Sequence, residues 1–243
     1  MPIIPLRASQ CTIGDDELPM TMQVAMVGTD GIVLAGDMRH SLSPRFERAA
    51  ATDAARRGYG ATKIRIDEAG KIAICCAMDM MAARIFVDRV FLELPSIALK
   101  DRAKHIEEIG REVGEGLAGN REIESLIVFA DCLSTFYRFR LMSNPREVCV
   151  DEVVDASAAG DVVNSAIFWR MHYYRRIPIA NLIVLASHMI VVAGLRNSAM
   201  IEGLEIVLCD SEGFRRLSIE ENREWQAKAI ERDKHIGKLV IKP

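Results

Sequence analysis

Thr21-Met22-Gln23-Val24-Ala25-Met26-Val27-Gly28-Thr29-Asp30-Gly31-Ile32-Val33-Leu34-Ala35-Gly36-Asp37 decides how this chain is read. Two apolar runs flank an Asp-Gly pair, with a threonine where the first run begins and an aspartate where the second ends. Asp-Gly between apolar runs is a strong hairpin signal, because glycine accepts the positive φ that tight turns need. The runs therefore predict two antiparallel strands. If Thr29-Asp30 form the loop, Thr21 faces Met38; if Asp30-Gly31 form it, Thr21 faces His40. In either register Asp37 ends near Thr21.

A threonine hydroxyl is a poor nucleophile unless a base is held against it, and one solution uses the α-amine of the same residue. That requires Thr21 to be the mature N-terminus. Met20 precedes it, and a Met-Thr start is one from which an initiator methionine is normally removed, since the second side chain is small. Residues 1–20 read either as a leader or propeptide or as an upstream start assigned in error. Pro2, Pro5 and Pro19 with Gly14-Asp15-Asp16-Glu17 give them an unstructured character without the basic-plus-apolar build of a secretion signal.

Half of the 243 residues are hydrophobic, enough for one well-buried core, so residues 21–243 are expected to form one domain. A net charge of −3 gives no basic footprint for nucleic acid. The six cysteines (Cys11, Cys75, Cys76, Cys132, Cys149 and Cys209) lack paired C-x-x-C spacing and sit mainly in apolar segments, as buried thiols of a reducing cytoplasm do. Ile177 to Leu195 matches the roughly 20 residues of a membrane span in length. Pro178, Asn181, Ser187 and His188 interrupt it and arginines flank both ends, so it reads as a buried helix.

Outward from the first hairpin, residues 38–60 are a polar connection. A second hairpin follows, with strands over 61–66 and 71–77 about an Asp67-Glu68-Ala69-Gly70 turn. Helical spacing then covers 78–94, through Ile85, Val87, Val90 and Leu92, and 96–117, through Ile106, Ile109, Val113 and Leu117. Strands return at 124–130, 135–141 and 147–154, a second helical pair covers 160–174 and 179–195, and a hairpin at 203–218 precedes a helix over 220–232. Strand groups alternate with helix pairs. The arrangement that buries all of them is α+β: a four-layer αββα sandwich of two antiparallel sheets between two helical layers.

With these elements in place, the chain resembles the β-subunit of the proteasome and its bacterial homologues, within the N-terminal-nucleophile hydrolases. The resemblance spans residues 21–243. It is carried by Thr21 opening the first strand, by Gly31-Ile32-Val33-Leu34-Ala35-Gly36-Asp37, by Thr62-Lys63-Ile64 and by the order of elements. It implies a threonine-type endopeptidase, with Thr21 as nucleophile and, through its freed amine, as general base. Lys63 is then the cation tuning both, Asp37 the carboxylate orienting Lys63, and the Ala77 backbone N–H an oxyanion donor. It also implies a peptide or unfolded-protein substrate, homo-oligomeric stacked rings, an ATPase unfoldase partner, a cytoplasmic location and no cofactor, nucleic acid or membrane.

Two departures stand out. The family's serine-containing turn before the third helix corresponds to Ala156-Ser157-Ala158-Ala159-Gly160-Asp161, with Ala159 at the serine. Its later Asp-x-x-Ser-Gly-Gly corresponds to Ser198-Ala199-Met200-Ile201-Glu202-Gly203. These substitutions motivate a competing reading, a catalytically weak or inactive structural ring subunit; a small-amide hydrolase of the same superfamily is a third. Taken singly, a threonine in a strand, an aspartate ending one and a lysine among isoleucines are ordinary. Gly114-Glu115-Gly116-Leu117-Ala118-Gly119 matches G-x-G-x-x-G but closes a helix, so it reads as a helix stop. The five histidines lack i, i+4 pairing for a metal, His40 alone reads as near the site, and Met78 to Met81 read as core or ring-contact residues.

Overall fold

The computed structural model describes residues 21–38, 62–117, 121–143, 146–160, 177–196 and 201–241. The first hairpin is β1 (Met22–Val27) and β2 (Ile32–Gly36), and the second is β3 (Ile64–Asp67) and β4 (Ile72–Met78). Helices α1 (Met80–Glu93) and α2 (Arg102–Gly116) follow, then β5 (Ile123–Phe129), β6 (Phe136–Ser143), β7 (Arg146–Val153) and β8 (Ala156–Gly160). Helix α3 (Ile179–Arg196), β9 (Glu205–Asp210), β10 (Gly213–Arg216) and α4 (Ile219–Ile241) complete the described chain. The architecture is α+β, with two antiparallel five-stranded sheets ordered β10-β9-β2-β1-β8 and β3-β4-β5-β6-β7.

Three apolar clusters explain why the strand sequences are nearly continuous apolar runs. Val24, Met26, Val33, Ala35, Ile206 and Leu208 pack with Leu182, Ala186, Met189 and Ile190 of α3 and Ala229 of α4. Ile72, Ile74, Ile127 and Phe129 pack with Phe86 and Val90 of α1 and Ile106 and Ile109 of α2. The alternate residues of the same strands, Ala25, Val27, Ile32 and Leu34 from one sheet and Ala73, Cys75, Leu126 and Val128 from the other, form a third cluster. A strand buried on both faces has no polar side to alternate with. The 177–195 stretch is likewise a buried helix, and no helix among the described residues is long and apolar enough to cross a membrane.

Several sequence expectations need correction. Ala156 to Gly160 is a strand, not a turn: β8 pairs with β1 from Met22↔Gly160 to Met26↔Ala156. Its alanines have weak strand preference, but their small side chains suit a position covered on both sides. The helix expected over 160–174 lies, beyond Gly160, outside the described residues, as does most of the 38–60 connection. In α1 the buried face is Ala82, Ala83, Phe86, Val87 and Val90. Ile85 and Leu92, expected on that face, are 40% and 81% exposed; of the two readings given for Met80 and Met81, their 63% and 57% exposure removes the core and is compatible with a ring contact. Alanines supply part of the true apolar stripe, which displaces its centre from the larger side chains.

Candidate active site

The first hairpin adopts the register from Gln23↔Gly36 to Val27↔Ile32, that of a Thr29-Asp30 loop. Gly28 N donates to Gly31 O at 2.7 Å. Gly31 is required by close approach: a Cβ there would fall 2.2 Å from the Cys209 carbonyl oxygen. Asp30 also serves outside the turn, since its Oδ1 accepts from Ile179 N at 2.7 Å and caps the start of α3. His40, which the other register would bring opposite Thr21, is outside the described residues.

The same register closes the hairpin's far end. Asp37 N donates to Met22 O at 3.1 Å, and Met22 N donates to Asp37 Oδ1 at 2.9 Å, leaving Oδ2 directed elsewhere. Lys63 enters from the other sheet, one residue before β3. Its Nζ donates to Asp37 Oδ2 at 2.8 Å and to Thr21 Oγ1 at 2.6 Å. Asp37 is 0% exposed, Lys63 8% and Thr21 9%. The structure therefore brings Thr21, Asp37 and Lys63 into one buried hydrogen-bonded group.

Ala77 approaches from β4 and is 3% exposed. β3 pairs with β4 only from Ile64↔Cys75 to Asp67↔Ile72, so Ala77 lies past the last β3 partner. The end of β8 fits beside it. A Cβ on Gly160 would fall 1.8 Å from the Thr21 carbonyl oxygen and 3.5 Å from Ala77 Cβ, and Gly160 takes φ +86°, so glycine is needed there for space and for conformation. Gly160 N donates to Glu124 Oε2 at 2.8 Å, and Glu124 is the ladder partner of Ala77.

The two sequence departures are equally concrete. Ala159 pairs with Gln23 and is fully buried between the sheets, with no hydroxyl to offer. Ser157 cannot substitute for it: the ladder sets Ser157 opposite Ala25, four residues along β1 from Thr21, or roughly 13 Å at the usual strand rise. Ile201 is 1% exposed and packs in the cluster under α3. Its neighbour Glu202 accepts from Met38 N at 2.8 Å, so the segment passes close to the Asp37 end of the hairpin while directing an apolar side chain into the core.

Sequence reasoning missed three polar residues around this group. Gln23 is fully buried, and its Nε2 donates to Cys76 O at 2.6 Å, joining β1 to β4. Glu205, 2% exposed, accepts from Lys63 N at 3.0 Å and Ile64 N at 3.3 Å through Oε2. Arg216 pairs with Glu205 and donates from Nη2 to Ile64 O at 2.6 Å. For Gln23 and Glu205 the available signal was a polar residue inside, or at the head of, an apolar strand; Arg216, at the end of Gly213-Phe214-Arg215-Arg216, carried no such signal. Burial pushes the nearby Cys75 thiol well up, and the Cys76 thiol, buried beside it, up to about 12. Both stay protonated at neutral pH and are poor nucleophiles. Among the described residues no group of three or more His, Cys, Asp or Glu side chains is arranged to hold a metal ion.

An ammonium donating to a hydroxyl oxygen leaves the hydroxyl proton free to go to a base and favours negative charge on that oxygen. A hairpin end, a lysine from a second sheet and a glycine-lined strand end thus define an α+β protein with a lysine-activated threonine candidate. No protein-family model matches the sequence, and the search of curated proteins gives no match.

Solved structures do match. Anbu (ancestral beta-subunit) from Yersinia bercovieri is 13% identical, with 92% of this chain and 98% of that one covered at a TM-score of 0.65. An Anbu (Gly-1) mutant from Hyphomicrobium sp. strain MC1 is 12% identical, covering 91% and 100% at 0.65. The structure titled as the helical assembly of the Anbu complex from Pseudomonas aeruginosa is 12% identical, covering 90% and 95% at 0.66. Identities this low carry the fold. They also correct the resemblance drawn from sequence: these neighbours are Anbu proteins, proteasome-like but a family distinct from the bacterial proteasome β-subunit.

Proposed function

We propose that this chain is a proteasome-like, threonine-type endopeptidase subunit that works within a homo-oligomeric assembly. The observation that carries the reading is Lys63 Nζ held 2.6 Å from Thr21 Oγ1 and 2.8 Å from Asp37 in a buried site. The three apolar clusters support a four-layer αββα sandwich of the N-terminal-nucleophile hydrolase type, with residues 21–243 as the mature domain and 1–20 as a removed leader. Once the Met20–Thr21 bond is cut, the Thr21 amine takes the hydroxyl proton as Oγ1 attacks the scissile carbonyl carbon. The amine then returns that proton to the departing amine, and water hydrolyses the resulting ester. An α-amine titrates near 7.7 to 8.0 in model peptides, and a neighbouring ammonium favours its neutral form, which is the form a base requires.

In this scheme Lys63 tunes the amine and hydroxyl, Asp37 orients Lys63, and the Ala77 N–H receives the oxyanion. An open site would cleave indiscriminately, so the scheme places it inside a self-assembled compartment fed by an ATP-driven unfoldase in the cytoplasm. The helical assembly reported for the Pseudomonas aeruginosa Anbu complex supports self-association. The test combines intact mass with a threonine-directed epoxyketone or β-lactone probe. A mature chain beginning at Thr21, labelled in wild type and unlabelled in Thr21→Ala, is the expected result. A blocked Thr21 in assembled protein refutes it.

A second reading is a structural subunit with weak or absent chemistry. Ala159 and Ile201 favour it, because neither offers a hydroxyl where the sequence comparison expects one. Assembled protein with a free Thr21 that no probe labels would establish it.

A further inference from the structure

Lys63 is anchored at both ends. Its ammonium is held by Asp37 and Thr21, while its backbone N–H is held by the carboxylate of Glu205, from the other sheet. Among the described residues β3 is an edge strand, with β4 as its one strand neighbour. Glu205 and Arg216 bond the backbone at its head. Glu205 Oε2 accepts from Lys63 N at 3.0 Å and from Ile64 N at 3.3 Å, and Arg216 Nη2 donates to Ile64 O at 2.6 Å. The two side chains are ion-paired with each other.

The contacts also close a ring. Glu205 pairs through its backbone with Gly36, the residue before Asp37. From Asp37 the path runs through Gly36 to Glu205, across the carboxylate to Lys63 N, along the lysine and back from Nζ to Asp37 Oδ2. Both ends of the lysine are thus referred to neighbouring positions of one sheet, although the residue belongs to the other. An apolar side chain at 205 would leave two N–H groups at the head of β3 without this acceptor and a partly buried arginine without its counter-charge.

We infer that Glu205, braced by Arg216, is a positioning residue that sets where Lys63 presents its ammonium to Thr21. The inference rests on the peptidase reading for its catalytic consequence, and on geometry alone for the placement of Lys63. The Glu205 side chain bonds to Lys63 N, Ile64 N and Arg216 and, among the described residues, not to Thr21, so it is expected to act on turnover and not on substrate affinity. Displacement of a catalytic group by about 1 Å can cost on the order of 100-fold in rate. Glu205→Ala is therefore expected to lower kcat about 10- to 100-fold with KM unchanged. Glu205→Gln, which keeps an oxygen facing the two N–H groups, falls between it and wild type.

The experiment uses full-length protein at matched assembly state and reads two quantities. The first is peptide turnover with Thr21-directed probe labelling. The second is reductive methylation of Lys63 by formaldehyde and borohydride, mapped by mass spectrometry against the exposed Lys71 as internal reference. Glu205→Ala should lose labelling and gain Lys63 methylation about tenfold relative to Lys71, as a buried amine becomes accessible. Unchanged turnover together with unchanged Lys63 protection overturns the inference. If Glu205→Ala does not assemble, Glu205→Gln and Arg216→Met decide it by the same readouts, with Lys63 protection as in wild type in both counting against it. Wild-type protein that no Thr21 probe labels overturns the peptidase reading instead, and Lys63 methylation still decides the placement.

Discussion

The Lys63–Asp37 pair gives a measurable prediction that does not depend on catalysis. Asp37 is 0% exposed and the Lys63 side chain 4%, at 2.8 Å separation. Removing one member of such a pair leaves the other charged and buried, which typically costs about 3 to 5 kcal/mol. Lys63→Met is assigned that range, since methionine fills the stem's volume and supplies no cation. Asp37→Asn keeps the shape and an oxygen toward Lys63, so its cost is closer to that of a charge-assisted hydrogen bond, about 1.5 to 3 kcal/mol. The double variant Lys63→Met/Asp37→Asn has no isolated charge and should lose less than the sum of the two. The expected coupling is about 2 to 3 kcal/mol, at the upper end for residues in direct contact.

Urea unfolding of the four proteins at one protomer concentration measures this, because self-association shifts apparent stability by mass action. In a scan, Lys63→Met should melt roughly 6 to 20 °C below wild type, taking about 2 to 4 °C per kcal/mol for a chain of this size. A coupling under about 0.5 kcal/mol, within ordinary additivity, would refute the argument that the two charges depend on each other.

Three further outcomes are expected. Lys63→Ala, assayed where it remains folded and assembled, should lose about 100- to 10,000-fold in turnover, the usual contribution of a positioned base; Lys63→Arg should also be strongly impaired, because its planar guanidinium cannot occupy the ammonium's point position between Thr21 and Asp37. Gly160→Ala should destabilise by more than the roughly 1 to 2 kcal/mol of a left-handed residue, because its Cβ also meets the Thr21 carbonyl; denaturant titration reads this, and a neutral result would contradict the β1–β8 register. Burial pushes the Cys76 and Cys209 thiols from 9.0 up to about 12, so folding stability should fall as pH rises from about 9 through about 12, where the unfolded chain loses thiol protons that the folded chain retains. Cys76→Ser/Cys209→Ser should flatten that slope in pH-dependent urea unfolding.

Much of the fold was legible because its signals are local. The first hairpin announces itself by Asp30-Gly31, the others by turns that open on Asp and close on Gly, all between runs of strand length, and α3 by polar interruptions in an otherwise membrane-like stretch. β8 was not legible, since Ala156-Ser157-Ala158-Ala159-Gly160 has neither strand preference nor alternation. It is a strand because β1 offers an unpaired edge and because small side chains fit between the helices and the opposing sheet. The α1 face was misread for a related reason: Ala82 and Ala83 carry part of the burial there, while the larger Ile85 and Leu92 do not.

The site divides along the same line. Thr21 and Asp37 sit at the two ends of one hairpin, so antiparallel pairing alone brings them together. Nothing local links either to Lys63, which arrives from a different sheet across a long polar connection; only the resemblance to a family joined them. The physical link is nonlocal and made by residues that sequence gave no reason to join: Gln23 reaching Cys76 across the sheets, and Glu205 reaching the backbone of Lys63. Each is a polar residue in or beside an apolar strand, a placement that costs free energy unless a specific partner waits on the other side. That cost is what makes such residues informative. A buried glutamate at the head of Glu205-Ile206-Val207-Leu208-Cys209 requires a donor, Lys63 N and Ile64 N at the head of β3 supply it, and the side chain thereby placed is the lysine that meets Thr21.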